Sequence, residues 1–249
     1  MRTIALVVEY DGTLFHGFQR QTSLRTVAGE LERALTTLCG QPVQIVGAGR
    51  TDAGVHASGQ VVSFETSYEG PLERMPLALT GMLRGEGIAV LRAIGRAPGF
   101  SARYDARART YKYLILNRLS PSPLRERRAL FVRAVLDLGL MRAACAPLLG
   151  EHDFTSFCAE LPERGRPIRT VERLGLERCE DLVELTVTAD SFLHQMVRII
   201  VGTLIDIGRG KRAGGAMEAI LAARDRVAAG PTAPPHGLYL THVRYDDPV

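Results

Sequence analysis

Apolar residues recur along the chain in two periods, which predict alternating strands and helices. A nearly continuous apolar run over residues 2–10 predicts a buried strand, which Asp11-Gly12 ends in a turn. Thr26 can cap a helix whose apolar stripe continues until Gly40. The other elements expected in this half are strands over residues 43–46, 60–64 and 88–94 and a helix over residues 71–83. The order β-α-β-β-α-β is that of a ferredoxin-like unit.

The second half of the chain repeats this order of elements. The expected elements are strands over residues 110–116, 171–176, 182–188 and 238–245 and helices over residues 138–149 and 192–207. Two segments rich in charged residues or proline, residues 159–169 and 230–237, are expected to be exposed loops. The sequence therefore predicts an α+β fold of two related ferredoxin-like halves, residues 1–105 and 106–249. Each half would contribute to an extended antiparallel sheet with flanking helices.

Composition narrows the function only a little. The chain has 249 residues, a net charge of +4 and a pI near 9.0, which is too mildly basic to imply nucleic acid by itself. Only Lys112 and Lys211 are lysines, so 29 of the 31 basic residues are arginines. This bias fits contact with RNA, but also a GC-rich genome or a hot habitat. No apolar run approaches a membrane span, so a cytoplasmic protein is expected.

The four cysteines are scattered, with no paired spacing that would hold zinc. We therefore expect reduced thiols and no metal.

A loop of small and polar residues, 47–60, carries the most informative chemistry. It contains the spacing G-x-G-x-x, but Asp52 stands where a dinucleotide-binding loop has its third glycine, and a carboxylate there would repel a pyrophosphate. No phosphate-binding P-loop or serine nucleophile elbow is present in the sequence. Arg50 lies two residues before Asp52 and would favour the ionised carboxylate needed for nucleophilic attack. The alternative is that the pair only closes a tight turn.

The string Gly49-Arg-Thr-Asp-Ala-Gly-Val-His56 resembles the signature of the bacterial TruA family of tRNA pseudouridine synthases. Further segments are similar to other blocks of that family, in the same order and over nearly the whole chain: Glu9-Tyr-Asp-Gly12, Gly17-Phe-Gln-Arg-Gln21, Phe100-Ser-Ala-Arg103, Arg109-Thr-Tyr-Lys-Tyr113, Gly150-Glu-His-Asp-Phe-Thr-Ser-Phe157, Phe192-Leu-His-Gln-Met-Val-Arg198 and Gly237-Leu-Tyr-Leu240. One departure is Phe18, where the family usually has tryptophan.

The resemblance implies a role for seven residues. Asp52 would be the essential carboxylate, acting as a nucleophile or as a base in a glycal route. Arg50 would hold Asp52 and fill the space left by a flipped uridine, and Tyr111 would pack on the base. The further substrate-binding candidates are Arg198, His56, Arg20 and Arg103. For His56 and His194 a structural role is the alternative, and Arg198 is expected to share a helix face with His194.

The resemblance also implies substrate and assembly. The substrate would be tRNA, modified at uridines 38, 39 and 40 of the anticodon stem-loop by a homodimer, in an active-site cleft between the two halves. The reaction is an isomerisation, so no cofactor or metal is expected. Two rivals stay open at this stage. A non-catalytic protein that binds structured RNA would not need Asp52, and a nucleoside hydrolase would release free uracil.

Overall fold

The computed structural model describes residues 1–162 and 165–249 and has the expected α+β fold, with mostly antiparallel sheet and flanking helices. The helices and strands in chain order are β1 (Arg2–Tyr10), α1 (Val27–Cys39), β2 (Val46–Gly47), β3 (His56–Thr66), α2 (Met75–Met82), β4 (Ile88–Arg96), β5 (Ala108–Leu116), β6 (Leu130–Phe131), α3 (Leu138–Ala143), β7 (Gly150–Asp153), β8 (Ile168–Cys179), β9 (Leu182–Ala189), α4 (Met196–Gly208), α5 (Ala216–Ala223) and β10 (Leu238–Arg244).

The chain forms two compact units. The first comprises Met1–Arg109 with Tyr239–Val249, and the second comprises Thr110–Leu238. The division of the sequence into two repeated halves after residue 105 stays a prediction.

The sheet of the first unit has the order that the β-α-β-β-α-β pattern predicts. Strand β1 lies between β3 and β4, and β2 pairs with the other edge of β3, all antiparallel. Strand β10 also runs along β3, in parallel, with Tyr239 opposite His56. The start of β3 is therefore flanked by β1 on one side and by β10 on the other.

Helix α1 begins and ends where the sequence predicts. The Thr26 side chain accepts a hydrogen bond from Gly29 N, and Gly40 ends the helix in the left-handed region at φ 67°. The strand expected over residues 43–46 is wrong, since only Val46–Gly47 pairs with β3. Instead, Val43 N donates to Thr36 Oγ1 and Ile45 N to Glu32 Oε1. Side chains of α1 thus take the hydrogen bonds that a strand would have used.

The second unit contains the sheet β5-β9-β8-β7, in which β8 and β9 form a long antiparallel hairpin. Helix α3 is shorter than expected because Pro147 cannot continue it, and a 3-10 turn follows over Ala146–Leu148. Helix α4 begins at Met196 rather than at Phe192, since the preceding Gln195 is left-handed at φ 58°. The short strand β7 and helix α5 were not predicted.

The loop expected over residues 159–169 includes residues 163 and 164, which lie outside the described residues. Its described part has no helix or strand before β8 begins at Ile168. All four cysteines are free thiols. The described helices are too short or too polar to cross a lipid bilayer.

Candidate active site

The Asp52 loop is held on one side by the segment that follows β1. Phe18 N donates to Thr51 O at 3.0 Å, and Gly54 N donates to Phe15 O at 3.4 Å. This approach requires glycine at position 17, where φ is +95° and a Cβ atom would lie 3.0 Å from Thr51 O. The backbone on either side of Asp52 is therefore fixed by main-chain hydrogen bonds.

Buried polar side chains hold the same loop from the sheet. Tyr10 of β1 hydrogen-bonds Thr51 Oγ1 at 2.8 Å. Gln60 of β3 accepts from Gly49 N at 3.3 Å and donates to Gly49 O at 2.8 Å. Burial raises the pKa of Tyr10 to about 12, against a smaller lowering by its hydrogen bonds to Thr51 and Gln60. The phenol therefore keeps its proton, and with it this bond, throughout the physiological range.

Asp52 itself lies in a turn at the surface. Its carbonyl accepts from Val55 N at 3.2 Å, and its side chain is half-buried. Arg50 is exposed, and among the described residues its side chain forms no ion pair or hydrogen bond, so the expected contact with Asp52 is not found. The role of Arg50 toward a flipped uridine stays a prediction.

His56 is buried at the start of β3, with only 1 % of its surface exposed. Its Nδ1 accepts from Gly12 N at 3.1 Å, and its ring stacks on Tyr239 of β10 at 4.7 Å between centroids. These contacts join the end of the Asp52 loop to the turn after β1 and to β10. The alternative left open by the sequence, a structural histidine, matches this burial.

Arg20 and Arg103, the two phosphate-contact candidates of this unit, are both exposed. Arg20 forms an ion pair with Glu32 at 3.2 Å, and Arg103 lies over the Tyr104 ring. Arg109 was not singled out in the sequence, although it stands in one of the quoted blocks. Its guanidinium donates twice to Ala48 O, at 3.1 and 3.0 Å, and so holds the first residues of the Asp52 loop.

Tyr111 and Arg198 belong to the second unit. Tyr111 on β5 is buried and packs edge-to-face against Phe192 at 5.0 Å between centroids. Arg198 on α4 is half-buried, and its Nε donates to Ala233 O at 2.8 Å. The expected pairing of Arg198 with His194 on one helix face is wrong, because His194 precedes the first residue of α4.

A metal site is not evident in the part of the chain that the structure describes, where no three His, Cys, Asp or Glu side chains are grouped to hold an ion.

The family model described as tRNA pseudouridine synthase matches residues 6–105 and 144–246 of the chain. The chain belongs to the tRNA pseudouridine synthase family. Proteins named tRNA pseudouridine synthase A are similar to it over nearly their full length. The one from Caldicellulosiruptor bescii is 42% identical over 98% of this chain and 100% of its own, and that from Bacillus subtilis is 43% identical over 96% and 98%. The one from Halalkalibacterium halodurans is 45% identical over 96% of this chain and 90% of its own.

Membership of the tRNA pseudouridine synthase family gives the loop geometry a chemical meaning. Both matched segments contain candidate site residues: Asp52 and its supports Tyr10 and Gln60 lie in the first, and Arg198 lies in the second. Tyr111 falls between the two segments. The expected family, fold class and type of enzyme are confirmed.

Proposed function

We propose that this chain isomerises uridine to pseudouridine at positions 38, 39 and 40 of tRNA, with Asp52 as the essential carboxylate. The observation that carries the proposal is the fixed Asp52 loop within a chain of this family. Main-chain bonds with Phe15 and Phe18 and side-chain bonds with Tyr10 and Gln60 hold the residues around one surface carboxylate. Such preorganisation is what a reacting group needs.

The reaction makes modest demands on the protein. The N1–C1′ bond breaks, the base turns and a C5–C1′ bond forms. The hydrogen on C5 leaves as a proton, and N1 takes up a proton. Substrate and product have the same atoms and oxidation state, so redox chemistry is not required. Asp52 contributes either as a nucleophile toward sugar or base or as the base of a glycal route.

The uridine must leave the base stack to meet Asp52. We assign Arg50 to the space that the uridine vacates, a role that suits an exposed guanidinium on the same loop. Tyr111, with a ring already oriented by Phe192, packs on the flipped base. Arg198, held by Ala233 O, contributes a positive charge to substrate binding. For His56 we propose a positioning role through Gly12, since its ring is buried.

The assembly that we propose is a homodimer acting on the anticodon stem-loop of tRNA in the cytoplasm. Exposed arginines, Arg20 and Arg103 among them, are assigned to the phosphate backbone.

The decisive experiment uses an unmodified tRNA transcript tritiated at uridine C5. Wild-type protein without added cofactor or metal is expected to release tritium to water, and Asp52→Asn to lower the rate by roughly 10³-fold or more. Asp246→Ala removes a surface carboxylate of the same unit, which is paired with Arg107, and serves as the matched control with full activity. Sedimentation at the assay concentration tests the dimer, since a fully active monomer would exclude it.

Two outcomes would replace the proposal. If neither wild type nor Asp52→Asn releases tritium across several tRNAs with U at positions 38 to 40, the chain is a non-catalytic RNA-binding protein. Free uracil among the products would identify a hydrolase instead.

A further inference from the structure

The second unit contains a basic loop over residues 118–128, which we call the arginine loop. The loop contains Arg118, Arg125, Arg127 and Arg128 against one acidic residue, Glu126. The last three arginines are exposed. A net charge of this sign in so short a segment contrasts with the near balance of charge over the whole chain.

The base of the arginine loop is closed by the only asparagine of the chain. Asn117 is buried, and its Nδ2 donates to Val132 O and Ala134 O, both at 2.8 Å, in the segment that follows β6. Its Oδ1 accepts from Arg178 at 2.6 Å. Val132 N donates to Leu116 O at 2.9 Å beside it. The loop therefore leaves and re-enters the unit at a fixed point.

The loop itself is ordered by internal bonds. Arg118 donates to Ser120 O at 2.8 Å and to Pro121 O at 3.2 Å. At the tip, Arg128 N and Ala129 N both donate to Arg125 O, at 3.0 and 3.1 Å. Arg127 is left-handed at φ 57°, a conformation that a non-glycine residue adopts only at a cost. Pro121 and Pro123 restrict the loop further. The tip arginines are thus presented on a preorganised turn.

We propose that the tip of the arginine loop, Arg125, Arg127 and Arg128, binds the phosphate backbone of tRNA. Guanidinium groups bind phosphate oxygens in bidentate fashion, and a preordered loop loses little entropy on binding. The loop lies between the two segments that the family model matches, residues 6–105 and 144–246, and contains none of the candidate site residues described above. The proposal rests on tRNA being the substrate.

The test is the salt dependence of tRNA binding. A triple variant, Arg125→Gln, Arg127→Gln and Arg128→Gln, is compared with wild type by fluorescence anisotropy of a labelled tRNA transcript over a range of NaCl concentrations. If each arginine contacts one phosphate, the slope of log K against log salt becomes shallower by about 2 to 3, and Kd at about 0.1 M salt rises roughly tenfold or more. Each single variant is expected to reduce the slope by about 1.

The matched control removes the same charge from exposed arginines of the first unit, by Arg74→Gln, Arg84→Gln and Arg92→Gln. An unchanged slope in the loop variant, or an equal change in the control, would overturn the proposal. In the second case net charge alone governs binding. Because anisotropy reports binding whether or not the uridine is converted, this failure is distinct from an absence of tritium release, which concerns the proposed isomerisation.

Discussion

Three buried polar side chains, Tyr10, Gln60 and His56, support the Asp52 loop through hydrogen bonds to its backbone or neighbouring groups. All three side chains are buried. The bonds of Tyr10 and His56 are buried and those of Gln60 to Gly49 are partly buried, so deleting a partner of the buried bonds leaves the other group unsatisfied, at a cost of about 1–3 kcal/mol. The position of the Asp52 loop and the stability of the first unit therefore depend on the same hydrogen bonds.

Removal of the Tyr10 hydroxyl tests this dependence. We expect Tyr10→Phe, which keeps the ring packing, to lower the free energy of unfolding by about 1–2 kcal/mol and to slow tritium release, because Thr51 Oγ1 loses its partner. Urea unfolding of Tyr10→Phe, Thr51→Val and the double variant completes a thermodynamic cycle. A coupling energy of about 1 kcal/mol is expected, and strictly additive losses would show that the bond does not stabilise the loop.

Element boundaries were predictable where the signal is local. Helix α1 carries its own start and stop in Thr26 and Gly40, so both of its ends are confirmed. The strand expected over residues 43–46 was wrong because the partners of its N–H groups, Thr36 and Glu32, come from a helix. Similarly, β3 begins at His56 rather than at residue 60, since its first residues pair with β1 and β10. Such long-range partners leave no periodic signal.

The segment over residues 230–237, which we call the proline strap, shows how an irregular segment can be fixed by one helix. Gly230 N donates to Thr203 Oγ1 at 2.9 Å, and Ala233 N donates to Arg198 O at 3.0 Å. A Cβ atom at Gly202 would lie 1.8 Å from Pro231 O, so only glycine permits this approach. The carbonyl of Ala233 in turn holds the Arg198 guanidinium. The sequence predicted a loop here, but not these contacts.

Thr203→Val tests the hydrogen bond that joins the proline strap to helix α4. Valine matches threonine in shape but leaves Gly230 N without its acceptor, so we expect the free energy of unfolding to fall by about 1–3 kcal/mol. The rate of tritium release should fall as well, because Arg198 is held through the strap. Thr203→Ser retains the hydroxyl and should restore most of both quantities. Equal behaviour of the two variants in urea unfolding and in the tritium assay would contradict this account.

Across the whole molecule, the roles expected for the site residues came from the resemblance of many short sequence blocks to one family. No single block indicates its chemistry by itself. Arg50 and Asp52 by themselves fit a tight turn as well as an active site. Composition was no better a guide, because a net charge of +4 conceals the concentration of arginine in one loop. That concentration becomes informative only when Asn117 is seen to close the loop and expose its tip. Physical placement decides what a residue type can do.

Both units contain buried groups from which we expect a sensitivity to alkaline pH. Burial raises the pKa of Tyr10 to about 12 and raises those of Tyr113 and Tyr245 above their ordinary value of 10.0. It likewise raises the pKa of the Cys145 thiol from 9.0 to about 12. Above pH 10 the unfolded chain releases tyrosine protons that the folded chain retains. The stabilisation by the tyrosines is therefore complete below about pH 10 and is lost as pH rises toward 12, whereas the contribution of the Cys145 thiol begins to fall above about pH 9.

We accordingly expect the free energy of unfolding to fall steeply between pH 10 and pH 12, by about 1.4 kcal/mol per pH unit for each buried tyrosine. Urea unfolding at pH 8, 10 and 11 measures the slope. Tyr113→Phe removes the hydroxyl that donates to Pro234 O, so its stability at pH 8 is lower but its alkaline slope shallower. Tyr104→Phe, at a residue that is 77% exposed, is the control. An equal slope in wild type and Tyr113→Phe would mean that groups other than the buried tyrosines govern alkaline unfolding.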